Sequence, residues 1–164
     1  MPRRSQATLR DLVGAIPDPE LPMITIDDLG ILRDLRVAGE RVEIEITPTY
    51  SGCPAMDAIR DDIVALVKGE GVSDVEVRTV LSPAWSSDWM SEAGRLKLRE
   101  AGIAPPGPSL PRSGLMSLAL LSVLSCPHCG SEATEELSRF SSTACKALHR
   151  CRACGEPFEQ FKAH

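Results

Sequence analysis

Cys126-Pro127-His128-Cys129-Gly130 and Cys151-Arg152-Ala153-Cys154-Gly155 put two C-x-x-C pairs, 21 residues apart, near the end of a 164-residue chain. A glycine follows each pair and permits the tight turn by which two thiolates and nearby backbone N–H groups are aimed at one ion. Two such pairs make a tetrahedral four-sulfur donor set. Zinc is the expected occupant, although iron accepts the same ligands. The expected metal ligands are therefore Cys126, Cys129, Cys151 and Cys154. Two disulfides are the competing reading. It is disfavoured because the N-terminus runs straight into a helical pattern with no apolar signal segment, and cytosolic thiols stay reduced.

Around the knuckles, residues 115–124, 135–140, 144–150 and 157–161 read as short strands, which with the cysteines describe a three- or four-stranded zinc ribbon. A piece of about forty residues buries too little surface to fold unaided, so the metal is expected to supply much of its stability. Phe140, Phe158 and Phe161, all the phenylalanines of the chain, are the expected mini-core. Cys145 adds a further thiol to the ribbon. It reads either as a packed strand residue or as an auxiliary ligand that exchanges in when metal is passed, and the first is preferred because four ligands already close a tetrahedral site. His128 and His149 read as surface residues rather than substitute ligands, with His128 placed to tune the sulfurs by hydrogen bonding.

Upstream, Ala104-Pro105-Pro106-Gly107-Pro108-Ser109-Leu110-Pro111 is a proline-rich linker unsuited to regular structure. The expected organisation is an α/β domain over residues 5–103, a linker over 104–113 and the ribbon over 114–164. In the first domain Leu9, Leu12, Val13 and Ile16 form one helical stripe that ends at Pro17. Strands follow over 31–37 and 41–49, joined by a hairpin at Ala38-Gly39-Glu40. A helix begins at Pro54 with Met56, Ile59, Ile63, Leu66 and Val67 on its apolar face, and a strand over 74–81 completes a right-handed parallel crossover. A third helix is expected over 88–101. The fold class is α+β: a small α/β domain with a mixed sheet and flanking helices, then a zinc β-ribbon.

Cys53, between Gly52 and Pro54 at the start of a helix, is the other thiol of interest. A helix N-terminus lowers a thiol pKa, whereas Asp57, Asp61 and Asp62 oppose a thiolate, so a buried inert cysteine and a reactive or ligating one both remain open. Asp18, Glu20, Asp27 and Asp28 stand among prolines and a glycine and suit turn and cap roles better than a hard-metal site.

Asp18-Pro19-Glu20, Asp28-Leu29-Gly30, Thr47 with Ser51-Gly52-Cys53-Pro54, and Pro83-Ala84-Trp85 resemble the MIP18/DUF59 family, whose members include iron–sulfur cluster assembly factors. That resemblance covers roughly residues 5–102 and implies that Cys53 is the residue tied to iron or cluster transfer, with a transient iron–sulfur cluster as cargo. With the ribbon and its Ser142-Thr143-Ala144-Cys145-Lys146-Ala147 run, nearly the whole chain resembles the PaaD family, accessory components associated with the multicomponent phenylacetyl-CoA epoxidase of aerobic phenylacetate degradation. The resemblance implies an accessory or maturation role without intrinsic catalysis, and oxygenase and reductase subunits as partners. The residues agree: there is no Glu-x-x-His pair, Rossmann glycine fingerprint or ferredoxin cysteine run.

Composition narrows the partners further. The formal charge of −5 lies in the N-terminal part, because residues 126–164 balance Glu132, Glu135, Glu136, Glu156 and Glu159 against Arg139, Lys146, Arg150, Arg152 and Lys162. A neutral ribbon lacks the basic surplus that neutralises phosphates, so nucleic acid is not an expected partner. The apolar run 115–124 is about half the length of a membrane span, and a cytoplasmic protein without membrane contact is expected. A single Cys53 supplies too few ligands for a cluster, so bridging in a homodimer or to a partner is expected. The competing functions are a purely structural adaptor that docks oxygenase components without handling metal, and a thiol-redox enzyme using a C-x-x-C pair.

Overall fold

A computed structural model describes residues 5–107, 109 and 124–163. Its elements are α1 (Gln6–Gly14), β1 (Leu32–Ala38), β2 (Arg41–Ile46), α2 (Ala55–Gly69), β3 (Asp74–Thr79), a 3₁₀ turn (Ser87–Trp89), α3 (Glu92–Glu100), β4 (Ile103–Ala104), β5 (Thr134–Ser138), β6 (Lys146–Cys151) and β7 (Pro157–Phe161). The fold class is α+β, as expected. The chain divides into two compact units, one running through Trp85 and taking in Trp89–Gly94, the other formed by Ser86–Asp88 and the chain from Arg95 onward.

The first unit is a two-layer sandwich. Ser5 caps α1 by accepting the Thr8 N–H at 3.1 Å, and Leu9 and Val13 on its stripe are buried. In β2 the alternation expected from Val42, Ile44 and Ile46 holds, with all three buried. β1 pairs antiparallel with β2, and β2 parallel with β3, giving the order β1-β2-β3 with α2 in the connection between the parallel pair. Helix α2 buries Met56, Ile59, Ile63 and Val67, whereas Leu66 is only half-buried. Each fully buried apolar side chain contributes roughly 1.5–3 kcal/mol, so this seam carries the unit. β2 ends at Ile46 rather than at residue 49, because the Thr47 N–H turns to Ile31 O at 2.9 Å and Pro48 has no donor.

The segment between α1 and β1 is where the acidic residues fall, and they act as turn residues. Asp18, only 6% exposed, accepts the N–H groups of Glu20 and Leu21, both at 2.9 Å. Asp28 accepts the Ser91 hydroxyl at 2.7 Å. The third helix is shorter than expected, since Ser91 caps it through the Gly94 N–H at 2.9 Å and residues before it wind as the 3₁₀ turn. Trp85 is buried and donates its indole N–H to Leu29 O at 2.8 Å.

The second unit is a four-stranded sheet in the order β4-β7-β6-β5. β5–β6 and β6–β7 are antiparallel, while β4 runs parallel to β7 with Ile103 opposite Glu159 and Ala104 opposite Gln160. Ala104, read as linker, is thus a ribbon strand residue. The strand expected over 115–124 lies outside the described residues apart from Leu124. Phe158 and Phe161 are buried as expected, but Phe140 is 64% exposed and lies under the Lys162 ammonium at 4.6 Å. It falls past the end of β5, beyond reach of the core.

Gly30 gives the sharpest test of the first unit. Its φ is +72°, and a Cβ there would come within 2.8 Å of both Cβ and O of Trp89. Gly30→Ala should lower unfolding stability by about 2 kcal/mol or more, read as a shift in denaturant midpoint, whereas Gly39→Ala, with open space around it, should cost only about 1 kcal/mol from its positive φ.

Candidate metal centre and the Cys53 loop

The two knuckles have the same backbone wiring. Cys126 N–H donates to Ser131 O at 2.9 Å and Gly130 N–H to Cys126 O at 2.8 Å; Cys151 N–H donates to Glu156 O and Gly155 N–H to Cys151 O, both at 2.9 Å. Each turn closes through a glycine at positive φ, +75° at Gly130 and +82° at Gly155. In each pair the first cysteine is buried and the second exposed, so every knuckle presents one thiol from the core and one from the rim.

The structure brings Cys126, Cys129, Cys151 and Cys154 together, with their sulfurs all within 4.8 Å of one another. Cys126 and Cys154 sulfurs are 3.9 Å apart, and those of Cys129 and Cys151 3.5 Å. Sulfurs at about 2.3 Å from a tetrahedral zinc are about 3.8 Å apart, close to the two separations of 3.9 and 3.5 Å, so the donor set suits a tetrahedral zinc. None of the six cysteines is in a disulfide.

The protonation of the cluster favours a cation. The Cys154 N–H, followed by that of Ala153, favours the Cys151 thiolate over burial and holds its pKa at about 6. At Cys154 the N–H of Glu156 also favours the thiolate. Burial and the sulfurs of Cys151, Cys129 and Cys126 outweigh it and push the pKa up to about 12. One sulfur ionises readily and its neighbour then resists, which is the behaviour of a site that needs a positive charge to hold all its thiolates.

The metal cluster does not include Cys145, which is 3% exposed and within 3.0 Å of the Thr143 hydroxyl. His128 is exposed in the first knuckle, where its Cε1 would stand 3.2 Å from a Cβ on Gly102. His149 is not the surface residue expected. It is 7% exposed, stacks on Phe158 with ring centroids 5.7 Å apart, and burial lowers its pKa. The alternation of β6 could have revealed this, since Ala147, His149 and Cys151 share one face. Ala104, Cys126, Cys151 and Phe158 pack as one cluster with Leu124 against it.

The ribbon also holds a charge pair that sequence reading missed, with Lys146 buried and Glu159 half-buried. Lys146 donates to Glu159 at 2.7 Å, and the same carboxylate accepts the hydroxyls of Ser141 and Ser142, the latter at 2.8 Å. Burial alone would raise the Glu159 carboxyl, but Lys146 and the two serines hold it at about 2. A depressed carboxyl contributes its stabilisation above its ordinary pKa of about 4.5 and loses it as pH falls toward 2.

In the first unit Cys53 is half-buried in the loop that feeds α2. Its N–H donates to Tyr50 O at 3.3 Å, its carbonyl accepts the Met56 N–H at 3.4 Å, and Gly52 before it has φ +82°. Cys53 directly precedes the N-cap, Pro54, which makes no side-chain cap bond. Asp57, Asp61 and Asp62 are exposed, and Arg60 bonds both Asp57 at 3.1 Å and the Thr79 hydroxyl at 3.0 Å. Thr47, at the start of this loop, is 1% exposed with a buried hydroxyl that has no hydrogen-bond partner, a feature no sequence pattern announced.

Such a pair of units, a small α/β sandwich with a cysteine at a helix start and a ribbon closed by four sulfurs, is the architecture of an iron–sulfur assembly domain joined to a zinc-ribbon module. Residues 6–79 match the family of iron–sulfur cluster assembly proteins, and residues 117–162 match the PaaD zinc beta ribbon domain. The chain is 44% identical to an Escherichia coli (strain K12) protein assigned as the D component of 1,2-phenylacetyl-CoA epoxidase, over 92% of this chain and 88% of that one. It is 33% identical to an iron–sulfur protein maturation auxiliary factor of Porphyromonas gingivalis, over 53% of this chain and 84% of the relative. A crystal structure of a DUF59 domain from Bacillus anthracis superposes with a TM-score of 0.53 at 29% identity, covering 57% of this chain and 90% of that domain. The chain belongs to the PaaD family.

Two outcomes follow for the ribbon. Chelation of the purified chain should remove about one metal per chain and expose β5–β7 amides to exchange while those of the central strand β2 stay protected, as read by hydrogen exchange. Glu159→Gln should destabilise the ribbon by about 3 kcal/mol, because it strands the Lys146 ammonium, whose side chain is 6% exposed; Lys146→Met in the same chain should recover most of that loss.

Proposed function

We propose that the chain is an accessory component of a multicomponent phenylacetyl-CoA 1,2-epoxidase and assists assembly of its iron or iron–sulfur cofactors in the cytoplasm. The observation that carries this reading is the separation of two kinds of thiol. Cys126, Cys129, Cys151 and Cys154 are the zinc ligands; they saturate a tetrahedral ion and leave no position for substrate. Cys53 is not among those four: it lies half-buried on a loop at a helix start, and a thiol there is a candidate nucleophile and metal ligand. Iron or a transient cluster is the cargo, bridged from Cys53 to a second protein, and the zinc ribbon fixes where the oxygenase and reductase partners dock.

The same closed sulfur set supports a second reading, a structural adaptor in which no metal moves. The two separate in one experiment. Epoxidase components are produced with this chain, without it, and with Cys53→Ser, and their iron content and turnover are measured. Loss of iron and turnover both without the chain and with Cys53→Ser, the variant remaining folded and partner-bound, is the expected outcome. Full iron loading with Cys53→Ser would leave the adaptor, and equal loading in all three preparations would remove any maturation role.

A further inference from the structure

The sheets of the two units have four edges, and three of them are blunted against pairing with another chain. β1 carries a register shift between Leu32 and Asp34, and its outward Val37 N–H is taken by the Gln6 side chain at 3.3 Å. β5 has a shift between Glu136 and Ser138, and β4 is only two residues long. Bulges, short strands and covered donors are the usual devices that keep sheet edges from associating. Among the described residues β3 has no bulge and no side chain bonded to its outward backbone groups, and its charges, Asp74, Glu76 and Arg78, are of both signs. It pairs in unbroken register with β2 from Asp74 to Thr79, contains no proline or lysine, and has no fully buried residue.

The backbone of β3 faces outward at alternate residues. The Val80 N–H donates inward to Ile46 O at 2.8 Å, so by the alternation of a parallel ladder Glu76 and Arg78 also bond toward β2. The N–H and C=O groups of Val75, Val77 and Thr79 therefore point away from the sheet, and among the described residues no backbone hydrogen bond reaches them. Their side chains lie on the helix face, opposite Val42, Ile44 and Ile46 in register. Asp74, Glu76 and Arg78 lie on the other face.

We infer that β3 is the docking edge for a second copy of this chain, joined antiparallel about a two-fold axis through Val77 into one six-stranded sheet. The sequence of the strand selects both the occupant and the register. With the axis at Val77, the outward groups of Val77 meet those of the partner's Val77, and Val75 meets the partner's Thr79, which are hydrogen-bonded pairs of the correct parity. Glu76 then stands opposite the partner's Arg78, and Arg78 opposite the partner's Glu76, in the closer non-hydrogen-bonded positions. Within each chain Glu76 is paired with Arg78 through Nε at 2.6 Å and with Arg41 through its other oxygen, so the axis at Val77 sets two such clusters together with opposite charges facing. An axis at residue 76 or 78 would oppose Glu76 to Glu76 or Arg78 to Arg78, so charge complementarity singles out Val77. The half-buried Val77 gains apolar cover from its counterpart. This inference goes beyond the maturation role and does not depend on it.

The test uses the full zinc-loaded chain alone. Sedimentation equilibrium from low to high micromolar concentration should show a monomer–dimer equilibrium, and the amides of Val75, Val77 and Thr79 should exchange slowly at high concentration and rapidly on dilution. Arg78→Glu should lower the association constant by about tenfold or more, with an unchanged circular dichroism spectrum, because it sets like charges across both symmetric pairs. The double change Glu76→Arg with Arg78→Glu should restore association. A chain that stays monomeric throughout, a dimer in which those three amides remain exposed, or protection that arises only when a different protein is added would each overturn the inference.

Discussion

Four sulfurs gathered within 4.8 Å set the terms for the C-terminal half of the chain. As thiolates they repel one another, and as thiols they are weakly bonding polar groups in a small core, so neither state by itself holds the ribbon closed. A divalent cation removes the conflict. The pKa values divide along that line, about 6 at Cys151 and about 12 at Cys154, because the second charge has to be added beside the first. The rest of the ribbon is arranged around this demand: matched knuckles, glycines at positive φ, and Phe158 packed on the buried sulfurs of Cys126 and Cys151.

The first unit answers to a different constraint, the burial of one sheet face under helices. That constraint was readable in advance because it imposes periodicity. Val42, Ile44 and Ile46 alternate, Met56, Ile59, Ile63 and Val67 recur at helical spacing, and a hydrophobic pattern of that kind admits few alternatives. The knuckles were readable for another reason, since ligand spacing is a covalent property of the chain. Strand limits were less so. β2 stops where Pro48 withdraws a donor, and α3 starts at Glu92 because the Ser91 hydroxyl caps it although residue 88 also suits a helix start.

What the sequence hid depends on partners distant along the chain. Phe140 looks like its two buried relatives until β5 ends at Ser138 and leaves it outside. His149 looks like a surface histidine until strand pairing sets it against Phe158. Lys146 and Glu159, two of a balanced set of ribbon charges, become a pair only through the β6–β7 register. The unpartnered Thr47 hydroxyl beside the Cys53 loop has no signature in composition or spacing. Each of these is decided by register and long-range packing, which local pattern does not encode.

The pairing of Ile103 and Ala104 with β7 bears on how such a chain can evolve. A ribbon that draws an edge strand from before the proline-rich stretch is not a self-contained cassette. A recombination event with its crossover between residues 105 and 123 would deliver all four cysteines to a new host and leave β7 with a bare edge. Exchange of the metal module among unrelated proteins is thereby discouraged, and the two halves are inherited most safely as one gene.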